Sequence, residues 1–192
     1  RAQPSPAETY AEIEASVTHV DRVIRIFDAL LRLAEIDAGT RRSGFVRADA
    51  GQVVREAVEF YLPAAELKNI VLSFRAPGDP VMVSGDPALL IQAVGNLIDN
   101  ALKYTGENGQ IEVELTGLKE GGVQISVTDD GPGIAEGEKS RVIERFYRGS
   151  ASSGTAGLGL GLTLGEAVAR LHGGRLTFLD NCPGLRAQVL LG

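Results

Sequence analysis

The stretch "NLIDNALKYTGENG", residues 96–109, sets an apolar helical pattern around two asparagines and ends in a lysine, a tyrosine and a turn. Leu97, Ile98, Ala101 and Leu102 supply a buried stripe, while Asn96 and Asn100 share one face at i, i+4 spacing. Asparagine is a mediocre helix former, because its amide competes with the backbone, so a pair in register needs a reason. Capping or cross-linking of nearby backbone is one reason. The rest of the chain offers another.

The 192 residues suit one ordinary domain plus an appendage, and 44% hydrophobic content is enough for a real core. No apolar run approaches the roughly 20 residues that span a bilayer, so a soluble piece is expected. A net charge of -6 argues against nonspecific nucleic-acid binding, which needs a basic surface. The single cysteine, Cys182, excludes an internal disulfide and suits a reducing compartment. Two histidines and one cysteine are a poor basis for a structural zinc site. The sequence starts at Arg1 without a methionine or signal-like segment and is expected to be an excised piece.

From Glu8 to Asp37 there is no proline or glycine, and Ile13, Val17, Val20, Ile24, Phe27, Leu31 and Ala34 alternate steps of four and three, a heptad seam. A second apolar line through Val23, Ile26, Leu30 and Leu33 widens the stripe beyond a two-stranded coil, towards a four-helix bundle. Pro6 marks the start of this helix and Gly39 follows its end. A boundary is placed there, giving segments 1–39 and 40–192. After "GTRRSG" the pattern is mixed, with helices expected near 51–67, 87–103 and 160–172, and strands near 70–74, 81–85, 111–115, 123–127, 175–179 and 187–191. Short turns such as Gly121-Gly122 favour antiparallel hairpins. Segregated strand and helix runs predict an α+β, two-layer α/β sandwich.

Two glycine stretches carry chemistry. "DDGPGI", residues 129–134, follows a strand; its glycines admit close backbone approach and Asp129 can accept from an exocyclic amine, although an ordinary turn fits the same letters. In "GTAGLGLGLTLGEAVARLHGG", Gly157, Gly159 and Gly161 alternate with leucines before a helix, leaving backbone N–H groups to face an anion in the field of the helix dipole. The stretch lacks the Gly-Lys-Ser/Thr of a P-loop and the βαβ setting of a dinucleotide site. Between them, "RVIERFYRGSASSGTA" has arginines at 141, 145 and 148 followed by small residues. It reads as a mobile lid bringing cations to phosphates, or as a solvated basic turn and a loose loop.

Taken in order, these stretches resemble the ATP-binding domain of bacterial sensor histidine kinases, within the superfamily shared with gyrase and mismatch-repair ATPases. "NLIDNALKYT" is similar to the asparagine box, "DDGPGI" to the first glycine box, "ERFYR" to the phenylalanine box and "GLGLGL" to the second glycine box. The resemblance implies a Bergerat-type fold: a mixed, mostly antiparallel sheet with three helices, preceded here by the long N-terminal helix. It implies ATP and Mg²⁺ as ligands, with Asn100 as metal ligand and Asn96 beside it on the phosphate side. Lys103 would lie near the phosphates and Tyr104 over the adenine. Asp129 would accept from the adenine amine, with Gly131, Gly133 and Ile134 shaping the base pocket. Arg148 would reach the γ-phosphate, and Gly157, Leu158, Gly159, Leu160, Gly161 and Leu162 would wrap the triphosphate with backbone donors. Asn96, Lys103 and Arg148 are thereby the candidate catalytic set.

Two departures stand out. Ile143 occupies a place where relatives commonly have phenylalanine. No histidine sits in a phosphoacceptor setting: His19 lies on what resembles the second helix of a dimerisation hairpin, and His172 stands at a helix end, where it would face the dipole favourably. The resemblance therefore implies a kinase portion whose acceptor hairpin is supplied separately, a response regulator as onward partner, a homodimeric parent anchored in the bacterial inner membrane with this portion in the cytoplasm, and no nucleic acid. A serine kinase or ATPase of the same fold, and a regulatory or scaffolding module without kinase activity, are the alternatives.

Overall fold

Alternating side chains on five strands decide what each face of the main sheet can cover. The computed structural model describes residues 6–37, 44–119, 121–139, 141–147 and 159–192. It begins with α1 (Pro6–Asp37), followed by β1 (Val46–Asp49), α2 (Ala50–Leu67), β2 (Val71–Arg75), β3 (Met82–Gly85) and α3 (Pro87–Tyr104). The hairpin β4 (Gln110–Gly117) and β5 (Val123–Asp129), the helix α4 (Gly161–Leu171), and the hairpin β6 (Arg175–Asp180) and β7 (Leu185–Leu191) complete it.

The main sheet has the order β2-β4-β5-β7-β6, antiparallel except for the parallel pair β2 and β4. A parallel pair needs a crossover, and α3 lies within it. One face carries Ile111, Val113, Leu115, Val123, Ile125, Val127 and Val189, all buried. The other carries Glu112, Glu114, Gln124, Ser126, Thr128, Arg186 and Gln188, with bonds such as Arg186 Nε to Thr128 Oγ1 at 3.1 Å. Helices α2, α3 and α4 cover the apolar face, a two-layer sandwich. Asp129 ends the inward-facing series of β5, so the pleat alone turns its carboxylate towards the helices.

Two elements depart from the sequence-based expectation. The strand at 82–85 pairs antiparallel with β1 in a separate two-stranded ribbon and does not join the main sheet. The bundle stripe of α1 also divides. Its heptad seam (Ile13, Val17, Val20, Ile24, Phe27, Leu31) is exposed, whereas Leu33 and Ile36 are buried in the common core with Ile26 and Ala29 packed against it. Arg32 donates to the Gln92 amide oxygen of α3 alongside this contact.

His172 also differs. It is 3% exposed, enclosed in the core at the end of α4, and is not a charged group meeting the helix dipole at the surface.

Leu33 is 1% exposed, so Leu33→Ala is expected to remove about 2–5 kcal/mol from the whole domain. Thermal denaturation monitored by circular dichroism should show one transition at lower temperature; an unchanged melting temperature would separate α1 from the core.

Candidate nucleotide site

Helix α3 starts with Asp86 as N-cap, its carboxylate accepting from the N–H groups of Ala88 and Leu89, and Pro87 in the first turn. Leu89, Leu90, Ala93, Val94, Leu97, Ile98, Ala101 and Leu102 are buried. Asn96, Asp99, Asn100 and Lys103 therefore fall on the partly exposed strip. Asn96 and Asn100 lie beside the start of α4: a Cβ built on Gly161 would stand 3.8 Å from the Asn100 amide nitrogen and 3.8 Å from Asn96 Cβ. The structure thus joins the asparagine stretch to the second glycine stretch.

The two ends that meet there are unusual in what they leave unpaired. Asp49 and Asp86 cap α2 and α3, but α4 begins at Leu160 with no side-chain cap, so its first N–H groups have no side chain to receive them. Asn96 Nδ2 is buried without a hydrogen-bond partner, and so is Thr105 Oγ1. An orphaned amide beside an uncapped helix start fits an anionic ligand carrying its own acceptors. Among the described residues no group of three or more His, Cys, Asp or Glu side chains is gathered to hold a metal. A hard cation at this place would use the Asn100 amide oxygen together with oxygens of the ligand and water, the donor set Mg²⁺ accepts.

Lys103 pairs with Asp99 one turn earlier on the same helix. The Lys103 ammonium is thus held by a carboxylate of its own helix. Tyr104 is exposed at the end of α3, and its carbonyl oxygen lies 2.9 Å from a Cβ built on Gly131, which closes this approach to any larger residue.

Asp129 is 7% exposed. Its Oδ1 accepts from Gly131 N–H at 2.9 Å and Leu185 N–H at 3.3 Å. The turn between β6 and β7 packs directly on it: Asn181 Nδ2 donates to the Asp129 carbonyl at 2.9 Å, and a Cβ on Gly184 would stand 1.8 Å from that oxygen. Gly133, at φ +71, packs against the Gly184 carbonyl, and Ile134 is half-buried beside it. Burial pushes the Asp129 carboxyl above its usual pKa of 3.8, with the neighbouring Asp130 adding to the rise and the two N–H bonds opposing it.

On the other side, Phe146 donates its N–H to the Gly159 carbonyl at 3.1 Å, and both have left-handed φ, +64 and +68. A Cβ on Gly159 would stand 2.6 Å from the Tyr147 carbonyl. Thr163 Oγ1 donates to the Ile143 carbonyl at 2.9 Å, while the Ile143 side chain packs on the core, so isoleucine anchors this segment where a phenylalanine was expected. Leu160 is buried and Leu162 partly so, which turns their backbone rather than their side chains outward. Arg148, Gly157 and Leu158 lie outside the described residues. Arg141 lies over the Tyr147 ring at 4.4 Å.

The sequence reading missed the Asn181–Leu185 turn and Thr105. "NCPG" is a turn signal in the letters, but nothing in them says that the turn closes on Asp129.

Because burial raises the Asp129 pKa, its ionised form costs the folded state stability at neutral pH, and that cost is relieved as pH falls through the raised value. Asp129→Asn retains an oxygen for Gly131 and Leu185. Without nucleotide it is expected to melt at or above the wild-type temperature at pH 7, by up to a few degrees for about 1 kcal/mol, with the gap closing on acidification. A lower melting temperature in scanning calorimetry at pH 7 would contradict this.

A family model, "Histidine kinase-, DNA gyrase B-, and HSP90-like ATPase", matches residues 85–191. The sensor-like histidine kinase SenX3 of Mycolicibacterium smegmatis is 34% identical over 176 residues, 90% of this chain and 44% of that protein. The adaptive-response sensory kinase SasA of Crocosphaera subtropica is 38% identical over 130 residues, 68% of this chain and 34% of its own length. The chain thus spans less than half the length of these curated relatives. Among solved structures, the mycobacterial sensor histidine kinase MprB superposes with a TM-score of 0.69 at 30% identity, covering 76% of this chain and 97% of that one. Sequence, fold and the order of the asparagine and glycine stretches agree: the chain belongs to the histidine kinase, DNA gyrase B and HSP90-like ATPase family, as a catalytic ATP-binding domain of the sensor histidine kinase type.

Proposed function

We propose that Mg-ATP binds between α3 and α4 and that this chain donates the γ-phosphoryl group to a histidine, as the kinase portion of a two-component sensor. The observation that carries the reading is the uncapped start of α4 beside Asn96 and Asn100. In this reading Asn100 holds Mg²⁺, which supplies charge neutralisation at the phosphates. Asn96 donates its orphaned amide to a phosphate, and Lys103 exchanges Asp99 for one. Backbone N–H groups from Gly157 through Leu162 face the triphosphate, Arg148 approaches the γ-phosphate, and Asp129 accepts from the adenine amine beneath Tyr104.

Phosphoryl transfer passes through a loose transition state, so positioning and neutralisation are what the residues contribute. The P–O bond to ADP breaks as a P–N bond forms on the acceptor imidazole. His172 is enclosed in the core, and His19 lacks the adjacent carboxylate that would orient and activate an imidazole, so neither is the proposed acceptor. The acceptor belongs to a hairpin whose second helix is 1–39, with 40–192 as the catalytic part. A response-regulator aspartate receives the group next, within a homodimeric parent at the cytoplasmic side of the bacterial inner membrane. No helix among the described residues is long and apolar enough to cross a membrane.

Isothermal calorimetry with Mg-AMPPNP should give binding to the wild type and about 10- to 100-fold weaker binding to Asn100→Ala. Equal affinities would favour a scaffolding role. With radiolabelled Mg-ATP, the chain should label a separately supplied acceptor hairpin and not itself; acid-labile phosphate on His19 would overturn the assignment of the acceptor.

A further inference from the structure

Helices α3 and α4 run antiparallel and touch at both ends. At one end Gly161 meets Asn96 and Asn100; at the other, Asp86 meets His172. The second contact is made by a ring in a tight slot. Asp86 donates its backbone N–H to His172 Nε2 at 3.0 Å, and His172 Nδ1 lies 2.7 Å from the Val168 carbonyl. An N–H facing Nε2 requires a lone pair there, so the ring proton sits on Nδ1 and is donated to Val168. Only the neutral imidazole satisfies both partners. Burial acts the same way, pushing the pKa below the usual 6.5, against the smaller opposing effects of the Val168 bond and the Asp86 carboxylate.

Phe45, at the exit of the linker from α1, stacks on the ring with centroids 4.5 Å apart and planes 15° apart. A Cβ on Gly85 would stand 2.5 Å from His172 Cδ2, so the slot accepts the ring only because residue 85 is glycine. The group therefore joins four things: the linker, the ribbon strand β3, the capped start of α3 and the end of α4.

We infer that His172 is a positioning residue of the nucleotide site: it pins the far end of the α3–α4 pair and thereby sets the gap between the two asparagines and the start of α4. The two contacts lie roughly 15 Å apart along the helices at 1.5 Å per residue. Helices are stiff over that length, so freeing one end lets α4 tilt at the other. The phosphate side depends on that gap. The base side does not, because Asp129 stands on β5 and is held by Gly131, Asn181 and Leu185.

This inference rests on the proposed nucleotide site, and the test separates the two. Affinities of wild type, His172→Phe, His172→Gln and His172→Asn are measured by calorimetry for Mg-AMPPNP and for adenosine. The Phe variant, lacking both polar contacts, is expected to lose on the order of 10-fold or more for Mg-AMPPNP, since small misplacements cost that much, and to keep its adenosine affinity. Gln, whose amide oxygen can take the Asp86 N–H, should recover most of the loss, while Asn, reaching only the Val168 side, should not. A fold defect alone would lower both ligands in parallel, and that outcome overturns the inference, as does wild-type Mg-AMPPNP affinity in the Phe variant. Should the Phe variant not fold, Gln and Asn decide: equal values for the two overturn the pin, and a preserved Gln with a weakened Asn supports it. A wild type that binds neither compound overturns the nucleotide reading itself.

Discussion

Burial of α3 is the constraint from which the site follows. With the sheet on one side and α2 and α4 on the others, the helix has a single strip left for polar residues, and Asn96, Asp99, Asn100 and Lys103 occupy it. Their place on this strip follows once the apolar positions are fixed, whereas their chemistry is set residue by residue. The same packing brings α4 alongside in antiparallel order, with Gly161 at its start facing the two amides. The distance between a helix N-terminus and a pair of side-chain amides is thus set by core packing, which is far stiffer than any loop.

The molecule carries several local costs at this place. Two helices receive aspartate caps while α4 has none. The two buried side-chain atoms without partners among the described residues, on Asn96 and Thr105, both belong to the polar end of α3. Asp129 places a carboxyl where burial raises its pKa. Phe146, a non-glycine residue, is held at left-handed φ where the segment meets Gly159. The unpartnered Asn96 amide and the uncapped start of α4 are donors that phosphate oxygens would satisfy, and Asp129 is an acceptor that a purine amine would satisfy, which is why their clustering bears on the proposed function.

Much of this was legible in the letters. The alternation in "IEVEL" and "VQISV" gives both strand and inward face, and the 3.6-residue period around Asn96 gives the helix and its polar strip. What was not legible depends on contacts between distant residues. β1 is only four residues, "VRAD", half polar and too short for a periodic signal; without it the strand at 82–85 had no visible partner outside the main sheet. The Asn181–Leu185 turn is recognisable as a turn, but its packing on Asp129 comes from strand order. His172 reads as a surface helix terminus because the sequence cannot show Gly85 and Phe45 enclosing it.

The division of labour on α1 has the same origin. Two apolar lines on one helix look alike as letters, yet Leu33 and Ile36 enter the domain core while Ile13, Val17, Val20, Ile24, Phe27 and Leu31 remain exposed. An uninterrupted exposed seam at heptad spacing is costly in water and is the kind of surface another helix covers. The proposed hairpin and homodimer give it that occupant. The last turns of the same helix are packed beside α4, and Phe45 stacks on His172 at the other end of α4. Burial of Leu33 ties the end of α1 to the same core that holds the α3–α4 pair, and the ring slot at Gly85 ties in the ribbon strand β3.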